Sequence, residues 1–167
     1  MSNAREVWIA LRHQAQLKGF RVSVRPMEAS EVAYCSYEPK EIAISDRLDP
    51  VEAVSRLAHE VAHLQLHADL GGPDDLQHHG VREIEAELVA YDVLLSNGIT
   101  PDDSMIRYMA AWAVTVTPTK PLELIKALGE SLVVERRRLS NSVQNYVRAH
   151  LRPSAAVDDL GHEGPGL

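Results

Sequence analysis

The chain opens on a broad apolar stripe. Val7, Ile9, Ala10, Leu11, Ala15 and Leu17 predict a helix over residues 3–18, with Gly19 standing where a C-cap is expected. The period then changes. Phe20–Val24 alternates, carries β-branched residues and stops before Pro26, which predicts a strand. Val32–Tyr37 and Glu41–Ser45 predict two more strands, joined by the turn sequence Glu38-Pro39-Lys40. A small sheet, at least partly antiparallel, is therefore expected ahead of the helices.

Helical spacing returns at Asp49-Pro50, with Asp49 placed to cap and Pro50 at the first helical position. That helix is expected to run to about Asp69 and to stop at Gly71-Gly72-Pro73. Residues 70–80, with Asp74, Asp75, His78 and His79, read as a polar loop. Further helices are predicted over Val81–Ser96, ended by Asn97-Gly98, and over Pro101–Val116, broken before Pro118. Pro121 to about Leu151 reads as one long helical stretch with a kink near Gly129. Residues 1–152 are expected to form one domain, and the Gly-, Asp- and Pro-rich residues 153–167 a disordered tail.

Composition narrows the class. A chain of 167 residues, 45% hydrophobic, has enough apolar material for one real core. Cys35 is the only cysteine, so no disulfide forms within the chain and a Cys-rich zinc finger is excluded. A lone thiol and an N-terminus without a signal-peptide pattern lead to the expectation of a cytoplasmic protein, and no apolar run is long enough to predict a membrane span. The net charge of −7 argues against a chain-wide nucleic-acid surface. Residues 135–152, however, set Arg136, Arg137, Arg138, Arg148 and Arg152 against Glu135 alone. A solvated helix face is the plain reading; a local nucleic-acid contact through Arg136, Arg137 and Arg138 is the sharper one.

The chemistry concentrates in Ala58-His59-Glu60-Val61-Ala62-His63. Residues four apart on a helix lie about 40° apart around its axis and roughly 6 Å along it, so both imidazoles can reach one metal ion. Glu60 projects beside that ion and is placed to take a proton from metal-activated water and pass it to a leaving amine. Val51, Val54, Leu57, Ala58, Val61, Ala62 and Leu64 make this a mostly apolar helix, on which unpartnered histidines would be costly. A pair of histidines satisfied by ordinary hydrogen bonds is the bland alternative.

A catalytic zinc usually takes three protein ligands and a water. Glu83 and Glu87 share one face of the helix after the polar loop, while Glu85 falls about 200° away and is expected to face solvent. The preferred assignment makes Glu83 the third ligand and Glu87 an outer residue orienting a ligand histidine; the reverse stays open. Asp69 is set aside, because Leu66 stands where a glycine would have to turn the helix sharply. His67 lies one turn beyond His63 and is expected in the outer shell or at the helix end. His78 and His79 are loop residues that could reach the cleft, with two exposed loop histidines the preferred reading. Tyr91 and Tyr108 could offer a hydroxyl to the oxyanion, with core packing preferred for each.

These residues resemble a known family. His59-Glu60-Val61-Ala62-His63-Leu64-Gln65-Leu66-His67, with the later Glu83-Ile84-Glu85-Ala86 and Val89-Ala90, is similar to the ImmA/IrrE metallopeptidases, zincins of the gluzincin type with an HExxH motif. Glu85–Tyr91, with Gly98-Ile99 and Tyr108–Trp112, is closer to the ArdC-like metallopeptidase domains of mobile elements. The resemblance covers roughly residues 30–150. It implies an α+β, zincin-like fold, a small antiparallel or mixed sheet packed on a helical bundle that carries the motif. It also implies Zn2+ held by His59, His63 and Glu83, with Glu60 as general base. Relatives of this kind act on DNA-bound regulators or in antirestriction, often beside a DNA-binding domain that is not expected within these 167 residues.

Two functions follow as expectations. The first is a zinc metallopeptidase hydrolysing peptide bonds in a protein partner, with a transcriptional repressor as the expected class. The alternative is a non-proteolytic antirestriction or DNA-associated regulatory module that retains the zinc site.

Overall fold

A computed structural model describes residues 4–68 and 76–152. The first helix, α1 (Ala4–Leu17), ends where Gly19 takes φ +82°. The Phe20 amide donates to the Ala15 carbonyl and the Gly19 amide to Gln16, which satisfies the last carbonyls of the helix. Strands β1 (Arg21–Arg25), β2 (Ala33–Tyr37) and β3 (Lys40–Ser45) follow. Their order is β1-β3-β2, with β1 parallel and β2 antiparallel to β3, so the sheet is mixed. Central β3 is buried from Glu41 to Ser45, and β2 is left as an edge.

Helix α2 (Pro50–Leu66) begins as its sequence demands. The Asp49 carboxylate accepts from the Val51 and Glu52 amides, and the Glu52 carboxylate accepts from the Asp49 amide. It ends at Leu66, three residues short of the expected Asp69. His67 leaves helical geometry (φ −124°, ψ 0°), and its amide donates to the His63 carbonyl. Asp69, the Gly71-Gly72-Pro73 stop and the 153–167 tail lie outside the described residues.

Helix α3 (Leu76–Ser96) starts five residues before the expected Val81, so His78 and His79 lie on a helix and not in a loop. Packing overrides the weak local signal. A Cβ on Gly80 would meet Val116 Cγ2 at 2.6 Å and Trp112 Cε3 at 3.1 Å, so the glycine admits the next helix against this turn. Helix α4 (Asp103–Val116) is capped by Asp102, whose carboxylate accepts from the Ser104 amide.

The expected helix over 121–151 is divided. Helices α5 (Pro121–Ser131) and α6 (Val133–Tyr146) meet at Leu132, and Val147–Leu151 closes as a π-helical turn. The break falls three residues after Gly129. Leu132 is buried with φ −93° and ψ 7°, and Arg136 Nη1 donates to the Gly129 carbonyl beside it.

Helix α3 packs against α2, α4, α5 and α6, while α1 and the sheet cover the other side of α2. The main core runs from Val7 and Leu11 through Ile42, Ile44, Leu57 and Leu64 to Val89, Val93 and Val143. A smaller cluster joins Ile84 to Met109 and Ala113. The fold is α+β, with a small mixed sheet on a helical bundle, as expected of a zincin-like chain. Among the described residues no helix is long and apolar enough to cross a membrane.

Candidate metal centre

Helices α2 and α3 lie side by side and bring three donors together. His59 and His63, one turn apart on α2, approach Nε2 to Nε2 at 3.0 Å. Glu83 of α3 faces both rings, with Oε2 3.3 Å from His59 Nε2 and Oε1 3.3 Å from His63 Nε2. Donors held about 2.0–2.1 Å from a tetrahedral zinc stand about 3.3 Å from one another. The spacing and the two-imidazole, one-carboxylate chemistry fit such an ion, and the three donor atoms lie within 4.8 Å of one another.

Each ring is also engaged from behind. His59 Nδ1 lies 2.6 Å from Glu87 Oε2, and Glu87 is only 1% exposed. Glu83 and Glu87 thus stand on opposite nitrogens of one imidazole: Glu83 on the side shared with His63, Glu87 on the far side. His63 Nδ1 lies 2.9 Å from His67 Nδ1, and His67 Nε2 lies 2.9 Å from Glu85 Oε2. Glu85 therefore does not simply face solvent; the non-helical backbone at His67 places its ring between α2 and α3, where this carboxylate meets it. The Tyr108 hydroxyl donates to Glu83 Oε2 at 2.8 Å, and His79 Nε2 stands 3.7 Å from Glu83 Oε1.

The electrostatics follow from these contacts. Burial pulls His59 down, but Glu83 and Glu87 more than offset it and hold the imidazole at about 10. A proton on that ring balances two buried carboxylates where the chain would otherwise need a cation. Burial and the neighbouring His59 and His67 hold His63 below its ordinary value, against the pull of Glu83. The Glu83 carboxyl, although desolvated, is held far below the usual carboxylate range by the two imidazoles. Burial raises Glu60, with Glu83 adding to the rise and His59 and Arg56 opposing it. Burial pushes the Cys35 thiol up to about 12, and the Glu60 charge adds to that and to the rise of Tyr37, so edge strand β2 runs close to Glu60.

Three residues take roles here other than those the sequence favours. Tyr108, a candidate hydroxyl for the oxyanion with core packing preferred, instead donates to Glu83, 25 positions away. His79 is four before Glu83, a spacing that becomes informative only once α3 is known to begin at Leu76. Glu85 meets His67 Nε2 at 2.9 Å, and His67 is a residue outside helical geometry. Tyr91, by contrast, packs half-buried against the main core. Arg136 is bound to Asp92 by two bonds of 2.7 and 2.8 Å, and Arg138 to Glu135 at 3.1 Å.

A cavity of about 410 Å³ opens beside the centre. Ser55, Arg56, Glu87, Asp102, Ser104 and Met105 line part of it. It touches the centre only through Glu87, on the side of His59 away from His63 and Glu83, and none of the three donors lines it.

Neither the curated proteins nor the solved structures yield a match to the chain. The model of the IrrE N-terminal-like domain, Peptidase_M78, matches residues 15–140, a stretch that contains the sheet, the two helices carrying His59, His63 and Glu83, and Tyr108. On that match, and with a His-His-Glu group able to hold a metal ion, the chain belongs to the Peptidase_M78 family of metallopeptidase-like domains.

Proposed function

We propose that the protein is a zinc metallopeptidase in which His59, His63 and Glu83 hold the ion and Glu60 is the general base. The observation that carries this reading is the convergence of the two Nε2 atoms and the Glu83 carboxylate at 3.0–3.3 Å, with Glu60 on the same helix and no ligand role of its own. Bound zinc supplies Lewis acidity, polarising the scissile carbonyl and lowering the pKa of a water to roughly 7.

The chain's own residues do the rest. Glu60, with its affinity for protons raised by burial, accepts a proton from the attacking water and returns it to the departing amine. Glu87 keeps His59 in the tautomer that offers Nε2. Tyr108 fixes Glu83 through Oε2. The substrate chain lies along the edge strand β2, which runs close to Glu60. The substrate class is a protein, with a DNA-bound regulator as the expected partner. The lone Cys35 accords with a cytoplasmic setting for that reaction.

The test separates binding from chemistry. The wild-type protein should hold about one zinc per chain, and His59→Ala should lose it. Glu60→Gln should keep the zinc and lose at least 100-fold in cleavage of a casein or repressor substrate, the scale expected for a general base. Full cleavage by Glu60→Gln would overturn the assignment of the base.

The alternative, a non-proteolytic antirestriction or DNA-associated module, draws on Arg136, Arg137 and Arg138. Two of those guanidinium groups are engaged, Arg136 with Asp92 and Arg138 with Glu135, and this puts it second. Salt-dependent DNA binding that survives Glu60→Gln, without any proteolysis, would raise it to first.

A further inference from the structure

His59 and His63 of α2 and His67, its C-cap, form a ladder, and only the first two rungs serve the proposed metal site. His67 is 9% exposed, and both its ring nitrogens are engaged, Nδ1 with His63 Nδ1 and Nε2 with Glu85 Oε2. One proton must sit between two Nδ1 atoms 2.9 Å apart. Which ring owns it follows from the other end of His63. A neutral imidazole that offers Nε2 to an ion carries its proton on Nδ1. His63 Nδ1–H then donates, His67 Nδ1 accepts, and His67 Nε2–H is left to donate to the Glu85 carboxylate.

Every proton in the chain of bonds is thereby fixed in one direction. The second ligand histidine receives through an imidazole what His59 receives directly from Glu87: a carboxylate behind the ring. The His63 and His67 rings lie 5.1 Å apart, tilted by 54°. The His67 amide also donates to the His63 carbonyl, so backbone and side chain both tie the helix end to the ligand above it.

We propose that His67 and Glu85 are positioning residues for the metal centre, a relay that fixes the tautomer and orientation of His63 and raises its strength as a ligand. The inference rests on His63 being a ligand through Nε2. A histidine that only fills a gap between α2 and α3 would support the fold without affecting metal affinity, and that difference can be measured.

The experiment is competition for zinc between the full-length folded protein and a chromogenic chelator, with far-UV circular dichroism and the metal-free Tm recorded for every variant. Outer-shell partners of this kind are worth about 10–100-fold in metal affinity. Glu85→Gln keeps the size and shape of a side chain that is 21% exposed and changes only its charge; it should weaken zinc binding about 10-fold. His67→Phe, which leaves the His63 Nδ1–H without an acceptor, should fall toward the 100-fold end. His67→Asn sets an amide oxygen near the position of Nδ1 and should recover part of that loss. The Glu85→Gln change should add little in the His67→Asn background, because the relay is already cut there.

Zinc affinities of Glu85→Gln and His67→Phe within twofold of wild type would overturn the relay and leave the metal site standing. Fully additive effects of Glu85→Gln and His67→Asn would do the same. Failure of the wild-type protein itself to bind zinc would remove the metal site and the relay together.

Discussion

Glu83 is held by neighbours of three kinds: two imidazoles that would share its ion, a phenol, and a more distant histidine. The phenol is the informative one. Burial pushes Tyr108 up to about 12, so its hydroxyl stays a donor at any pH at which the protein works. Its bond to Oε2 leaves Oε1 with His63 and His79 and limits how the carboxylate can turn. A hydrogen bond to a charged group contributes roughly 1.5–3 kcal/mol. Tyr108→Phe should therefore weaken zinc binding about 10-fold or more while moving the metal-free Tm by only a few degrees, as chelator competition and a melting curve would show. Unchanged affinity would make Tyr108 a packing residue. His59 and His63 were legible because four-residue spacing on an apolar helix is a statement about geometry. The hydroxyl of Tyr108 was a candidate, but its bond to Glu83 was not legible, because that partner arrives from another helix and no local pattern encodes the approach.

Among the elements, the ends were readable where a residue's own chemistry sets them. Asp49 caps α2 and Gly19 ends α1, each through bonds its side chain or backbone makes locally. Boundaries set by packing were not readable. α3 begins at Leu76 because Gly80 lets α4 approach, and the stretch over 121–151 breaks at Leu132 instead of Gly129 because the leucine is drawn into the core. The parallel pairing of β1 with β3 was equally hidden, though side chains reinforce it. Glu41 of β3 accepts from Ser23 at 2.8 Å and from Arg21 at 3.1 Å, with Arg25 at 3.7 Å. Those contacts hold its carboxyl below the ordinary value of 4.5. A carboxyl lowered by folding stabilises the protein above its unfolded value, and that stability is lost as pH falls through the folded value. Glu41→Gln should thus lower Tm at pH 7 and flatten the acid limb of the stability curve below pH 4.5. Parallel curves for the two proteins would show that the pairing does not depend on this charge.

At the scale of the molecule, the centre is where two helices from different parts of the chain are joined. α2 carries two of the donors and α3 the third, so the contact between them at this centre joins the two helices. Without metal, a proton on His59 stands between Glu83 and Glu87, a weaker tie than an ion shared by three donors. Metal that binds only the folded chain stabilises it by mass action, about 2.7 kcal/mol at a free concentration 100 times Kd. A domain of this size gains roughly 2–4 °C per kcal/mol, so zinc at that excess should raise Tm by roughly 5–10 °C. His59→Ala removes one donor and leaves the Glu83 and Glu87 carboxylates facing each other without the ring between them. Its metal-free Tm should fall below that of wild type, and zinc should recover little of the loss. Glu60→Gln keeps all three donors, so it should show the full zinc-dependent rise while remaining inactive. Melting curves of the three proteins, each with zinc and with excess chelator, therefore separate the metal's contribution to the fold from the general base's contribution to the reaction. Equal rises in wild type and His59→Ala would place the ion somewhere other than between α2 and α3.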